Sequence, residues 1–179
     1  MYKIAVVGIE NGWSTERLLD AVEQKTGCRL LVDMEKVRLD LPQKKLWFGN
    51  VNLSELDALI IKKIGGVYST DLLDRLEVLR LLELDGMTIC SSPKSIIQVL
   101  NRLSCTITLQ GGDIPMPPTV VTEDLAEAVG TIERFGKAVL KPLFSTKARG
   151  MMIVDAKSFD RDLLLEFKKD NPVMYIQKK

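Results

Sequence analysis

Short apolar runs alternate with stretches of helical period through the first half of the chain, and that alternation commits a sequence to parallel strands joined by helical crossovers. Lys3 to Val7 is a β-branched run that stops at Gly8 and reads as a buried strand. Ser14 and Thr15 offer N-caps for a helix with Leu18, Leu19 and Val22 on one face, closed by Gly27. Arg29 to Val32 is a short second strand. The pattern then weakens between Asp33 and Leu56, where Lys45-Leu46-Trp47-Phe48-Gly49-Asn50 reads as an edge strand ending in a turn. Ala58 to Ile61 is the next buried strand, before Gly65-Gly66. Leu72, Leu73, Leu76, Leu79 and Leu82 carry a helix from about Thr70 to Leu84, and Met87 to Cys90 returns as a strand. Residues 1–91 therefore form an α/β domain around a mostly parallel sheet.

A boundary falls at Ser91-Ser92-Pro93, where Ser92 can cap and Pro93 can occupy a first helical turn. Helical pattern continues to Gln110 with a break near Asn101. Pro115, Pro117 and Pro118 stiffen an extended entry to strand Thr119-Val120-Val121. Thr122, followed by Glu123 and Asp124, starts a helix bearing Leu125, Val129 and Ile132. Lys137 to Lys141 and Met151 to Val154 are strands on either side of a polar loop. Ser158 caps a helix through Phe167, and Val173 to Gln177 is a last strand. Residues 92–179 thus read β-α-β-loop-β-α-β after their leading helices, an α+β domain.

Composition narrows the chemistry. The sequence has no histidine, which removes Ser-His-Asp and Cys-His nucleophile systems, His-based metal sites and imidazole acid–base steps. A net charge of +1 supplies no long-range pull toward nucleic acid or membrane, and neither is expected as a partner. Cys28, Cys90 and Cys105 are an odd set without C-x-x-C spacing, as in a reducing cytoplasm. The Met1 segment is too short in its apolar run for a signal peptide, and no run approaches the roughly 20 apolar residues that span a bilayer. A cytoplasmic location is expected. Gly8-x-x-x-Gly12 lacks the G-x-G-x-x-G spacing of a dinucleotide loop and reads as a turn. Trp13 and Trp47 read as packing residues. Lys62-Lys63 lines a substrate cleft or simply ends a strand in solvent.

The informative stretch runs from Ala138 to Met151. Lys141 closes a buried strand, where an ammonium is costly unless an anion meets it. The loop that follows, Ser145-Thr146-Lys147-Ala148-Arg149-Gly150, adds hydroxyls, two further cations and backbone amides, a set that suits a polyphosphate. On charge alone a solvated basic hairpin tip explains it as well.

From Ser91 onward the chain resembles the ATP-grasp superfamily, especially the ribosomal-protein glutamate ligases and the GAK-system ATP-grasp enzymes. Ser92-Pro93-Lys94-Ser95-Ile96, Asn101-Arg102-Leu103, Gly111-Gly112-Asp113-Ile114-Pro115, Pro118-Thr119-Val120-Val121-Thr122, Val139-Leu140-Lys141-Pro142-Leu143 and Tyr175-Ile176-Gln177-Lys178 carry the likeness. The resemblance implies a Rossmann-like pre-ATP-grasp domain at 1–91, then the N-terminal α+β subdomain of an ATP-grasp fold at 92–179. It implies an ATP-dependent carboxylate–amine ligase working through an acylphosphate. Arg102 and Lys141 would meet the α/β-phosphates. Ser145, Thr146, Lys147, Arg149 and Gly150 would close over the terminal phosphates, and the backbone of Ile176, Gln177 and Lys178 would meet adenine. Glu10 and Asn11 would face the acceptor, with a plain turn as the alternative. ATP, Mg2+, and small-molecule or peptide carboxylate and amine substrates are the implied cofactors and partners, and a homodimer is an available assembly.

The sequence departs from that family in four places. Arg102 replaces the usual lysine, Lys178 replaces a common glutamate, and the loop retains only Gly150 where several glycines are usual. The family's magnesium ligands lie beyond the hinge strand, past Lys178-Lys179, so the C-terminal catalytic subdomain is expected to be missing and the catalytic residues stay unassigned. A truncated ligase, inactive alone, is one expectation. A non-catalytic nucleotide-binding or scaffold module derived from such a ligase is the other, with an interaction domain that takes no nucleotide behind both.

Overall fold

The computed structural model describes residues 2–145 and 148–179, and the chain divides into two compact units, Met1–Ile97 and Gln98–Lys179. Among the described residues, no helix is long and apolar enough to cross a membrane.

The first unit opens with β1 (Ile4–Val7), α1 (Trp13–Thr26) and β2 (Leu31–Val32), a strand–helix–strand unit whose two strands pair in parallel. A small antiparallel excursion follows: β3 (Val37–Asp40), β4 (Lys45–Phe48) and β5 (Val51–Asn52). Then β6 (Ala58–Ile61), α2 (Asp71–Leu84) and β7 (Thr88–Cys90) complete a four-stranded parallel sheet in the order β2-β1-β6-β7. Ala5, Val6 and Val7 are all fully buried, so both faces of β1 are covered, as an unalternating apolar run requires. Val6 packs with Leu19 and Val22 of α1. Leu72, Leu76, Leu79 and Leu82 form the buried stripe of α2, each such leucine contributing about 1.5–3 kcal/mol of burial.

Three local expectations change here. The segment Lys45–Phe48 is the middle strand of its sheet and not an edge, because Val37–Asp40 pairs with it on one side and Val51–Asn52 on the other. Arg38 lies over the Trp47 ring at 5.9 Å, which makes Trp47 a packing residue, whereas Trp13 is 77% exposed. The cap of α1 is Gly12 and not Ser14 or Thr15. Thr15 is instead buried against Gly8, where a Cβ would come within 2.6 Å of its methyl group.

The second unit contains the end of α3 (Pro93–Leu100), then α4 (Arg102–Gly111), β8 (Thr119–Thr122), α5 (Leu125–Phe135), β9 (Lys137–Lys141), β10 (Met152–Asp155), α6 (Arg161–Asp170) and β11 (Met174–Lys178). Its sheet is antiparallel throughout, in the order β10-β9-β11-β8. Helices α5 and α6 start at Asp124 and Asp160, whose carboxylates accept from Glu127 N and Asp162 N, not at the anticipated Thr122 and Ser158. Thr122 accepts from Asp124 N instead, two residues too early to cap.

Strand alternation gives this sheet two unlike faces. Ala138 and Leu140 of β9, Val154 of β10, and Met174 and Ile176 of β11 point into a core with Ala128, Val129 and Ile132 of α5 and Leu164 and Phe167 of α6. The alternate positions, Lys137, Val139 and Lys141 on β9 with Tyr175 and Gln177 on β11 and Thr119 on β8, share the other face. Two helices bury one side, and the second side is left to carry polar chemistry.

Candidate functional site

On that second face the antiparallel register sets Tyr175 opposite Lys141 and Gln177 opposite Val139 and Thr119. Lys141 and Gln177 are therefore diagonal neighbours across the strand pair, within reach for long side chains. The Lys141 Nζ donates to Gln177 Oε1 at 2.5 Å. Gln177 Nε2 donates to Thr119 Oγ1 at 3.0 Å, and the Thr119 hydroxyl donates onward to Pro117 O at 2.9 Å. Tyr175 is nearly buried on this same face because α4 lies over it, with Thr106 Oγ1 and the Tyr175 hydroxyl 2.9 Å apart.

Arg102 enters from the first turn of α4. Its backbone N–H donates to Leu143 O at 3.0 Å, its Nε to Pro142 O at 2.9 Å and its Nη2 to Ser145 Oγ at 3.1 Å. Three bonds thus tie one residue to the segment that leaves β9. Only a planar fork can make the two side-chain bonds together, so arginine serves here in a way lysine could not. The end of α4 is otherwise satisfied, since Asn101 Oδ1 accepts from Leu103 N and Ser104 N at 2.9 and 3.2 Å.

The electrostatics follow from this crowding. Partial burial, and then the Arg102 guanidinium, push the Lys141 ammonium below the ordinary lysine value. Among the described residues no carboxylate pairs with Lys141, and its one polar partner is a neutral amide. Two cations converge on a sheet face with no protein anion between them, an arrangement that an external anion would relieve.

The remaining anticipated residues fall as follows. Ser145 is half-buried under Arg102, while Arg149 and Gly150 lie exposed at the return of the loop. Thr146 and Lys147 lie outside the described residues. Gly150 has φ 68°, and a Cβ there would meet Pro142 at 3.2 Å, so the position favours glycine. Ala148 sits at φ 58° despite its side chain. The Ile176 side chain is fully buried in the core and can offer nothing but backbone. That backbone, with that of Gln177, is committed to ladders on both sides, because β11 is central in the sheet. An adenine edge cannot pair with it there. The strand end differs: Lys178 N donates to Pro118 O at 2.8 Å, but Pro118 has no N–H to return to Lys178 O. In the first unit, Glu10 pairs with Lys36 at 2.8 Å and Asn11 turns at φ 59°, so both shape the turn after β1. Lys62 and Lys63 are exposed, and both their N–H groups donate to Val7 O.

Sequence reading overlooked Thr106, Thr119, Tyr175 and the side chain of Gln177. The period-two pattern of β11 carries a signal for two of them, since Tyr175 and Gln177 bracket buried Ile176. Thr106 and Thr119 join only through register and helix placement.

Comparison with solved structures decides the architecture. The chain superimposes over its full length on the ATP-grasp ligase PsnB complexed with minimal precursor, with a TM-score of 0.73 at 15% identity, covering 64% of that chain. Over 99% of its length it matches a RimK domain protein ATP-grasp from Sphaerobacter thermophilus, with a TM-score of 0.74 at 18% identity, again covering 64% of that chain. Its fold is the ATP-grasp fold. The likeness extends to sequence. The ATP-grasp chain is 27% identical over 175 residues to the tetrahydromethanopterin:alpha-L-glutamate ligase of Methanosarcina acetivorans, covering 94% of this chain and 52% of that protein. It is 32% identical over 136 residues to the ligase of the same name from Methanocaldococcus jannaschii, covering 74% of this chain and 45% of that protein. The ATP-grasp chain thus spans about half the length of these curated relatives. No protein-family model matches it.

Proposed function

We propose that the ATP-grasp chain forms the nucleotide-gripping part of an ATP-dependent carboxylate–amine ligase. The observation that carries this reading is the pair Lys141 and Arg102, which meet on the sheet face beside α4 with, among the described residues, no carboxylate paired to Lys141. A polyphosphate oxygen about 4 Å from one such cation gains roughly 4 kcal/mol at an effective dielectric near 20, before desolvation. Lys141 supplies a point charge to the α/β-phosphates. Arg102 holds the Pro142–Ser145 segment in position and adds a second positive field. Ser145, Arg149 and the Gly150 turn stand where the terminal phosphates would lie, and Lys178 O at the end of β11 is the acceptor suited to adenine's exocyclic amine.

In a ligase of this kind, charge neutralisation at the γ-phosphate lets a carboxylate oxygen attack its phosphorus, with ADP leaving, to give an acylphosphate; an amine then attacks the acyl carbon, phosphate leaves and the nitrogen loses a proton, which gives an amide. The sequence relatives are tetrahydromethanopterin:alpha-L-glutamate ligases, and PsnB has been solved in complex with a precursor peptide. An amino acid or peptide is accordingly the substrate class proposed for this chain. Magnesium is implied by that chemistry and accompanies ADP on PsnB. Among the described residues no group of three or more His, Cys, Asp or Glu is placed to hold a metal.

One observation favours a second reading, a nucleotide-binding module without catalysis: Ala148 holds a left-handed position in a loop where the family resemblance implies glycines. Two measurements separate them. Calorimetric titration with ATP should reveal binding that Lys141→Ala weakens at least tenfold, and an unchanged affinity would remove the nucleotide role. Carboxylate-dependent release of ADP would then support the ligase over the module.

A further inference from the structure

We propose that Gln177 is a positioning residue that holds the Lys141 ammonium over the sheet face beside α4 without neutralising it, reserving its charge for the nucleotide phosphate. The proposal rests on the nucleotide reading above and adds to it a reason for an uncharged side chain at residue 177.

The hydrogen-bond chain fixes the direction of the amide. A threonine hydroxyl has one proton, and that of Thr119 is spent on Pro117 O at 2.9 Å. Thr119 Oγ1 can therefore only accept from Gln177, which places the amide nitrogen toward Thr119 at 3.0 Å. The amide oxygen must then face Lys141, where it accepts from Nζ. Donation runs one way along the series Lys141, Gln177, Thr119, Pro117, and such chains polarise and strengthen one another. Gln177 Nε2 also lies 3.5 Å from the Tyr175 hydroxyl, which is anchored to Thr106 of α4. The carboxamide is held by two strands and, through Tyr175, by a helix.

Neutrality matters because of what surrounds the ammonium. Among the described residues, the charged and titratable groups facing Lys141 are Arg102 from α4 and Tyr175 from β11, opposite in register. Neither is a carboxylate. A lysine stem has four rotatable bonds, and an ammonium repelled by a guanidinium would swing toward solvent unless tethered. A glutamate at 177 would tether it equally well but would form an internal ion pair competing with any phosphate. A glutamine tethers it and leaves its charge whole.

The test uses the 179-residue chain with Gln177→Glu, Gln177→Met and Lys141→Ala, in two measurements. The first is the Lys141 pKa in the nucleotide-free chain, read by side-chain NMR. Gln177→Glu should raise it by about one unit or more, as an adjacent carboxylate does. The second is ATP affinity by calorimetry. Gln177→Glu should lose about tenfold despite its raised pKa, since one unit of pKa corresponds to tenfold in binding. Gln177→Met, which keeps the volume and removes the acceptor, should lose several-fold with no upward movement of the pKa. A pKa unmoved in Gln177→Glu, or ATP bound as tightly by that variant as by the parent, would overturn the proposal. If Lys141→Ala retains parental affinity, the nucleotide reading itself fails. If Lys141→Ala loses binding while Gln177→Glu does not, only the role of Gln177 falls. Should Gln177→Glu unfold, Gln177→Met decides, because full affinity in it overturns the tether.

Discussion

At Lys141, burial first and the Arg102 guanidinium second both hold the ammonium below its ordinary value of 10.5. The unfolded chain has no such pressure, so between the lowered folded pKa and about 10.5 it binds more protons than the folded chain. Stability therefore rises with pH through that window on account of this residue. In Lys141→Met the alkaline gain should vanish, with thermal melting at neutral pH unchanged or slightly raised, as melts across a pH series would reveal. Binding has the opposite sign. A phosphate favours the ammonium and raises its pKa, so ATP affinity should fall as pH climbs through the free-state value. Calorimetry in buffers of differing ionisation enthalpy should detect the accompanying proton uptake. Arg102 makes a separate demand, because its fork spans Pro142 O and Ser145 Oγ. Arg102→Lys keeps the charge and loses both bonds. Each is worth about 1.5–3 kcal/mol as a charged hydrogen bond, so affinity should drop about tenfold or more, with faster amide exchange at 143–145.

Among elements, the helix–sheet packing of the second unit carries its stability. Ile132 on α5 and Leu140 on β9 are both fully buried in one core. Either residue changed to alanine should cost about 2–5 kcal/mol in chemical denaturation, whereas Asn101→Ala should cost about 1 kcal/mol through the lost cap of α4. This scale is also where sequence reading is most informative. The leucines of α2 and the alternation of Lys137 to Lys141 announce their elements, because burial on one side imposes a period. Caps are less legible. Thr15 could have capped α1, but packing against Gly8 consumes it. The strands between Val37 and Asn52 are two to four residues long, too brief for a period to emerge, and Lys45–Phe48 gains its central place only from pairing. The candidate site divides the same way: Lys141 stands out as a charge ending an apolar run, while Thr119 and Thr106 become neighbours only through register.

For the whole molecule, the two compact units and the net charge of +1 leave no global field to draw in a polyanion. Recognition must come from local cations. ATP should then act on stability by mass action alone. At a hundred times its dissociation constant it should add about 2.7 kcal/mol, visible as a higher melting temperature in the parent chain and absent in Lys141→Ala. Protection from hydrogen exchange should gather at 138–145 and 175–178 rather than spread through residues 1–97.

Ala148 at φ 58° has a consequence for how the chain could change. A methyl group in that conformation opposes it by about 1 kcal/mol, and the Met151 N–H donates to Ala148 O at 3.4 Å across the turn. One base change turns an alanine codon into a glycine codon. Such a variant would relax the opposition and give the turn more shapes to sample, which trades a ready-made grip for a looser one.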